Sequence, residues 1–338
     1  MFETRISTSS KVIVGLPLLV VGLGAPGAAE EGLEEREGTF NVLVENDKFA
    51  GTDRHYTNGL QFSYLSPRDT VPGFLRAFAA VLPGIPEGSA LRAGYVLGHN
   101  IYTPDDTAAR EPLPDQRPYA GWLYGGFAVL GETEDTLSTW ELDLGVVGSS
   151  AQGEEVQNAF HDLLGADDAN GWDNELDDEP GVALIYERKW RNLAEFRESG
   201  FGIDLTPHLG GSLGNVGTYL NTGITLRFGK DLTNDFGPPR IRPSLPGSGF
   251  FVPGNTFGWY LFAGVDGRAI AYNIFLDGNA DGDSLSVDKE PLVADIQVGA
   301  VVTIGWLHFA YTHVYRTQEF EEQDRGDRFG AISLSAKF

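Results

Sequence analysis

The chain of 338 residues contains no cysteine, a single methionine and few basic side chains. The lack of cysteine excludes disulfides, thiol catalysis and cysteine-based zinc sites. Only 24 Lys and Arg stand against 48 Asp and Glu, giving a net charge of −24. This balance disfavours nucleic acid as a partner, because phosphate contacts require clustered basic side chains. No apolar run is long enough to cross a bilayer as a helix.

The sequence is instead rich in glycine and in short segments where apolar and polar residues alternate, such as 39–46, 56–65 and 136–148. A strand with one apolar and one polar face suits the wall of a barrel between lipid and lumen. A soluble sandwich would show the same period, but aromatic residues near strand ends favour a membrane barrel. These residues are Trp140, Trp190, Tyr260 and Trp306.

Both ends of the sequence support an outer-membrane barrel. Residues 1–29 predict a secretory signal peptide, with basic side chains, an apolar run at 12–24 and small residues ending at Ala29. The remaining residues, 30–338, are predicted to form one barrel domain. The last segment, 328–338, alternates and ends on an aromatic residue, which is typical of bacterial outer-membrane barrels.

We therefore predict an all-β fold, a transmembrane antiparallel β-barrel of about twelve strands with a short helix in an outer loop. The predicted strands are 39–46, 56–65, 92–102, 119–131, 136–148, 180–191, 200–212, 217–228, 257–275, 292–303, 306–317 and 328–338. An even number places both ends of the barrel in the periplasm. Two periplasmic connections, 66–91 and 229–256, are longer than such turns need to be.

Three of the resulting outer loops, 47–55, 103–118 and 149–179, lie on the same side of the membrane. The third has helical spacing over 152–164, which places Gln157 and His161 on one face of a helix. A histidine there could act as a general base, although a lone histidine is also typical of packed or surface positions.

Polar residues crowd the first outer loop. Alternation points Asp47 and Thr57 toward the barrel mouth, whereas it aims Asn46 at lipid unless the strand has bent. Asn46 and Asp47 are also ordinary turn residues. Residues 277–288 match most of the spacing of a calcium loop, but strands flank them, so an acidic hairpin loop is the alternative interpretation.

Several motifs occur in order between residues 40 and 338. They are Glu45-Asn46-Asp47, Arg54-His55-Tyr56-Thr57-Asn58-Gly59, Asp115-Gln116-Arg117-Pro118-Tyr119-Ala120-Gly121-Trp122, Gly153-Glu154-Glu155-Val156-Gln157-Asn158-Ala159-Phe160-His161, and Phe275-Leu276-Asp277-Gly278-Asn279 with Val287-Asp288-Lys289. With these motifs the chain resembles the outer-membrane lipid A 3′-O-deacylases, and the run 155–161 is the most specific.

The resemblance implies a twelve-stranded barrel in the bacterial outer membrane and a Ca²⁺-dependent carboxylic ester hydrolase. Its substrate would be the 3′ acyl ester of lipid A. The family's site residues map onto Asn46, Asp47, Thr57 and His161. His161 would activate water, Asp47 would hold Ca²⁺, and Asn46 and Thr57 would position the metal or the substrate.

The substrate contacts implied are Gln157 and Arg110. The family pattern has a lysine in the loop 103–118, where this chain has Ala109 followed by Arg110. Arg110 would supply positive charge to a lipid A phosphate or carboxylate.

Two other functions remain open at this point. The chain could be a passive pore or structural barrel, with Glu141 and Asp143 making the lumen cation-selective. It could also be a phospholipase acting on glycerophospholipids. The expected partners are lipid A, as part of lipopolysaccharide, and outer-membrane lipid, and we expect a monomer.

Overall fold

The computed structural model describes residues 38–50, 55–164, 168–191, 193–198, 200–230, 232, 235–238, 257–282 and 284–338. All of them belong to one compact unit. The predicted signal peptide lies outside the described residues. Within those residues, no helix has the length and apolar character that crossing a membrane requires.

Antiparallel strands form one sheet that closes on itself. They are β1 (Thr39–Asn46), β2 (His55–Leu65), β3 (Ala90–Thr103), β4 (Ala120–Glu132), β5 (Thr136–Val147), β6 (Glu179–Trp190), β7 (Ala194–Glu198), β8 (Phe201–Gly214), β9 (Gly217–Lys230), β10 (Phe257–Asn273), β11 (Leu292–Ile304), β12 (Leu307–Arg316) and β13 (Asp327–Lys337). Pairing of β1 with β13 and of β6 with β8 closes a barrel of twelve strands, which confirms the predicted fold. The thirteenth strand, β7, is short and exposed and pairs with the start of β8.

Short helices lie in the connections. They are α1 (Gly73–Ala79), α2 (Gly153–Leu164) and α3 (Ile274–Asp277), with 3-10 turns at Asp47–Ala50, Ser149–Ala151 and Trp172–Asn174. The outer-loop helix predicted over 152–164 is confirmed as α2. We call the end of the barrel that carries α2 the loop end, and the opposite end, where β1 starts and β13 finishes, the terminal end.

Alternation along the strands separates a lipid face from a lumen face. Phe40 and Phe62 are exposed on neighbouring strands with ring centroids 6.4 Å apart, whereas Asn41 and Gln61 are buried. Tyr260 departs from the prediction that it belongs to an aromatic girdle. It has the parity of the lumen face of β10, and it is buried with 3% of its surface exposed.

Ion pairs fill the lumen near the loop end. Arg316 donates to Asp295 (2.8 Å) and to Glu319 (3.4 Å), and Arg117 donates to Glu319 (3.1 Å). Burial alone would raise the pKa of Glu319, but the guanidinium groups of Arg316 and Arg117 lower it to about 2. At the loop end the charges of these side chains therefore offset one another.

Two residues that follow β9 lie in the terminal end of the lumen. Asp235 pairs with Arg227 of β9 and accepts a hydrogen bond from the hydroxyl of Tyr260 (2.7 Å). The next residue, Phe236, is 2% exposed and packs among apolar side chains of β2, β4 and β5. Asp235 and Phe236 thus lie inside the barrel, which the sequence did not predict, and we call these two residues the plug.

Candidate active site

The hairpin between β1 and β2 fixes Asn46 at the loop end. The Asn46 side-chain amide donates to the carbonyl of Thr57 (2.8 Å), and its Oδ1 accepts from the backbone N–H of Lys48 (2.9 Å). Alternation aims Asn46 at lipid, but only 1% of it is exposed, because the chain turns into a 3-10 helix directly after it. Asn46 therefore ties the two sides of the hairpin together.

Asp47 begins this 3-10 helix and is buried, with 1% exposed. The helix contacts β2 and β13. A Cβ at Gly330 of β13 would lie 2.7 Å from Cβ of Phe49, so a glycine there permits the close approach. The inward orientation predicted for Asp47 rested on strand alternation, which does not extend to it because Asp47 lies past the end of the strand.

A β-bulge redirects Thr57. The register between β2 and β3 shifts by one residue between Tyr56 and Asn58, so Thr57 is the inserted residue. Its hydroxyl lies 2.8 Å from the hydroxyl of Thr103, which has the parity of the exposed Leu97 on β3. Thr57 therefore faces the outside of the wall. The prediction that it points toward the barrel mouth rested on unbroken alternation, and the bulge shifts that alternation by one residue.

The outside of β3 and β4 at the loop end is covered by the start of α2. His99 of β3 donates through Nε2 to the carbonyl of Ala151 (2.8 Å). A Cβ on Gly121 of β4 would lie 3.0 Å from Cβ of Ala151 and 3.3 Å from the backbone nitrogen of Gly153. The missing side chain at Gly121 therefore allows α2 to lie directly on the wall.

The face that α2 buries is polar. Gly153, Gln157 and His161 follow one another at four-residue intervals and are all buried, with Gln157 and His161 each 1% exposed. Val156, in contrast, is 37% exposed. A helix that buries an amide and an imidazole while it exposes a valine departs from the usual burial preferences, and such departures are expected at functional sites.

Trp172 holds this polar face in place. Its indole N–H donates to Oε1 of Gln157 (2.9 Å), and its ring lies 4.9 Å from the ring of Tyr119 between centroids. A Cβ on Gly153 would collide with the indole, so the ring packs directly on the helix backbone. The sequence did not identify Trp172, because its segment has no periodicity that would relate it to α2.

Asn46 and Thr57 of the hairpin and the predicted residues of α2 thus belong to one continuous set of neighbours on the outside of the wall. In order, this set comprises Asn46, Thr57, Thr103, Ile101, Trp172, Gln157 and His161. Arg110 does not join it. Its side chain is exposed, and its backbone carbonyl accepts a hydrogen bond from the side chain of Asn174 (2.8 Å). The role of Arg110 toward a substrate stays a prediction.

Oxygen donors at the hairpin suit a hard cation. Asp47 offers a carboxylate, and Thr57 and Thr103 offer hydroxyls, which are ligand types that Ca²⁺ accepts. In the described part of the chain, one group of three acidic side chains is close enough to share a metal, and all three are exposed. These are Asp288, Glu321 and Glu322. Because Asp47 is not among them, Ca²⁺ at the hairpin would need mainly neutral oxygens and water as its further ligands.

The acidic loop with calcium-loop spacing uses its first carboxylate internally. Asp277 accepts from Nζ of Lys289 (2.6 Å) and from the backbone N–H of Asn273 (2.7 Å). The side chain of Asn279 donates to the carbonyl of Asp177 (2.9 Å) and so joins this loop to the one after α2. These contacts favour the hairpin interpretation over Ca²⁺ binding.

An acidic side chain lies beside the Trp172 turn. Burial, followed by the charges of Asp178, Glu154 and Glu155, raises the pKa of Glu175 to about 7. The backbone N–H of Glu175 donates to the carbonyl of Trp172 (3.1 Å). The charge of this loop therefore changes near neutral pH.

One family model and one solved structure agree with this architecture. The family model described as "Outer membrane protein LpxR" matches residues 16–338. The solved structure of LpxR from Salmonella typhimurium is similar with a TM-score of 0.72 and 21% identity, over 89% of this chain and 100% of that one. The β domain of the Bordetella autotransporter BrkA, at 10% identity, covers 89% of this chain and 98% of its own with a TM-score of 0.41. No curated protein sequence matches significantly.

Proposed function

Because the chain belongs to the family of the outer membrane protein LpxR and is a barrel of the bacterial outer membrane, we propose that it hydrolyses the 3′ acyl ester of lipid A. The observation that supports this most is the buried polar face of α2, which lies on the outside of the barrel wall. A lipid could reach this place from the outer leaflet without entering the lumen.

His161 would act as the general base. It would take a proton from water, whose oxygen forms a bond to the ester carbonyl carbon. As the bond from this carbon to the sugar oxygen breaks, His161 returns the proton to that oxygen. The products are a free fatty acid and a 3′ hydroxyl, and water supplies all the atoms added.

Other residues of the set would bind and orient the ester. Asn46 and Thr57 hold the hairpin in register, which positions Asp47 at its turn. Gln157, one helical turn before His161, offers an amide to the substrate. Arg110, exposed on the neighbouring loop, would meet a lipid A phosphate.

Ca²⁺ is part of the proposal, with Asp47 as the charged ligand and threonine hydroxyls as neutral ones. When bound, the ion would act as a Lewis acid toward the ester carbonyl oxygen. We expect activity to disappear on chelation and to return when Ca²⁺ is added back.

A pore is the alternative of a different class. The ion pairs near the loop end and the plug of Asp235 and Phe236 at the terminal end occupy space in the lumen, which argues against it. A phospholipase remains the second enzymatic candidate, since the chemistry would be the same and only the lipid would differ.

Substrate competition separates the two hydrolases. The purified full chain, folded in detergent with Ca²⁺, is offered lipid A and a diacyl glycerophospholipid at equal concentration. We expect fatty acid release from lipid A alone, and none in the presence of a chelator. Release mainly from the glycerophospholipid would overturn the proposed substrate, and release from neither lipid would overturn the activity.

A further inference from the structure

We propose that Trp172 is a positioning residue, whose indole N–H fixes the amide of Gln157 so that the amide NH₂ donates to the carbonyl oxygen of the ester. The inference rests on the proposed hydrolase function. It adds Trp172, which lies outside all the motifs that carry the family resemblance, and it gives Gln157 one defined role.

The donor chemistry of indole sets the orientation of the amide. A Trp side chain has one N–H and no acceptor, so the atom 2.9 Å from it must be the carbonyl oxygen of Gln157. The amide nitrogen then points to the other side. A flipped amide would place two donors against each other, so the bond to Trp172 selects one of the two amide orientations.

In this orientation the amide nitrogen of Gln157 is a hydrogen-bond donor that still needs an acceptor. Nε2 of Gln157 is buried and has no hydrogen-bond partner among the described residues. Burying a donor without an acceptor is unfavourable, and folded proteins rarely allow it. A bound ester would supply the missing acceptor.

The surroundings of Trp172 keep the indole from moving away. The ring lies against the backbone of Gly153 and beside the ring of Tyr119, and the indole is 3% exposed. The segment that carries it is joined to α2 a second time, because the backbone N–H of Ala169 donates to Oδ1 of Asn158 (3.1 Å). The indole is therefore held by packing against Gly153 and Tyr119, and the segment that carries it is held by a hydrogen bond to α2.

The spacing of Gln157 and His161 on α2 supports the role proposed for the Gln157 amide as a donor to the ester carbonyl oxygen. Gln157 and His161 are four residues apart on the buried face, so their side chains are neighbours. With His161 activating the water that attacks the carbonyl carbon, a donor one turn away is placed to hold the carbonyl oxygen as it becomes negative.

A double-mutant cycle tests this role. Initial rates on lipid A with Ca²⁺ are measured for the full chain with Trp172→Phe, with Gln157→Ala and with both changes. We expect each single change to lower kcat about tenfold or more while KM stays within about twofold, and the double variant to be no slower than Gln157→Ala. If Trp172 were merely structural, Trp172→Phe would lower kcat further when it is combined with Gln157→Ala. That result would overturn the proposal.

Two further variants complete the test. Trp140→Phe removes a similar bond, from indole N–H to the carbonyl of Pro83 (2.9 Å) outside the site, and should leave kcat unchanged. Gln157→Glu keeps an acceptor for Trp172 but lacks the NH₂ donor, so it should be as slow as Gln157→Ala. Full activity of Gln157→Glu would overturn the proposal even if Trp172→Phe failed to fold. An inactive wild type, in contrast, would refute the proposed hydrolase function itself.

Discussion

His161 and Gln157 are buried on the face of α2 that rests on the barrel wall, and this position makes them candidates for chemistry. Their four-residue spacing could be read from the sequence, since helical periodicity is a local property. The orientation of Thr57 could not be read from the sequence. A single inserted residue in the pairing with β3 changes the face of the sheet to which its side chain points. Trp172 could not be identified from the sequence either, since its hydrogen bond to Gln157 forms only in the folded chain.

Replacing His161 by alanine should abolish turnover while the barrel still folds. We expect kcat to fall by about 10² to 10⁴, because the attacking water loses its base. The measurement is the initial rate of fatty acid release, with heat-dependent gel mobility as the check on folding. Val156→Ala, on the exposed face of the same helix, is the matched control and should keep full activity. Turnover by a folded His161→Ala variant would remove this residue from the mechanism.

At the scale of elements, the barrel was predictable and the connections were less so. Predicted and observed ends of the twelve barrel strands differ by at most two residues, because alternation is strong wherever one face meets lipid. The short β7 was missed because its five residues are all exposed and carry no pattern. The 3-10 helix at Asp47 was missed because it looks like any turn.

The close packing of α2 on β4 gives a prediction about Gly121. Gly121→Ala places a methyl group 3.0 Å from Cβ of Ala151, so α2 must move by a few tenths of an ångström. We expect kcat to fall by about three- to tenfold, because catalysis is sensitive to small displacements. Gly125→Ala, on the same face of β4, meets its nearest neighbour, the carbonyl oxygen of Val96, only at 3.8 Å and should have no effect. Equal activities of both variants would contradict the described packing of α2.

The loop that carries Trp172 should loosen as the pH rises. The pKa of Glu175 is raised to about 7 from an ordinary value of 4.5. Folding therefore favours its protonated form, and the stability this contributes is present below about 4.5 and is lost as the pH rises through about 7. Glu175→Gln should protect 168–178 from hydrogen exchange at pH 8 more than the wild type does. At pH 4.5 the two proteins should exchange alike, after correction for the intrinsic rates. A difference that did not depend on pH would contradict this account.

At the scale of the whole molecule, the lumen contains buried ion pairs and the plug, and the outside of the wall carries the candidate site. The sequence predicted alternation but not which charges pair in the lumen, because alternation gives the face of a side chain and not its partner, even where the partner is as near in sequence as Asp235 is to Arg227 or Glu319 to Arg316. The plug was unpredictable because Asp235 and Phe236 lie in a segment without strand or helix periodicity.

A lumen that is occupied by these side chains predicts a barrel that does not conduct ions steadily. The wild type in planar bilayers should show no steady conductance, because the ion pairs and the plug occupy the lumen near its two ends. Asp235→Ala removes one of the two carboxylate partners of Arg227, leaving Asp204, and should produce intermittent openings. A stable ohmic conductance of the wild type would instead favour the pore interpretation.

The most direct measurement is a mass spectrum of lipid A from bacteria that produce this chain, compared with bacteria that produce the His161→Ala variant. The proposed function predicts that the wild type removes one ester-linked acyl chain, that fragmentation assigns the loss to the 3′ position, and that the variant leaves lipid A intact. Unchanged lipid A with folded wild-type protein in the outer membrane and Ca²⁺ present would contradict it.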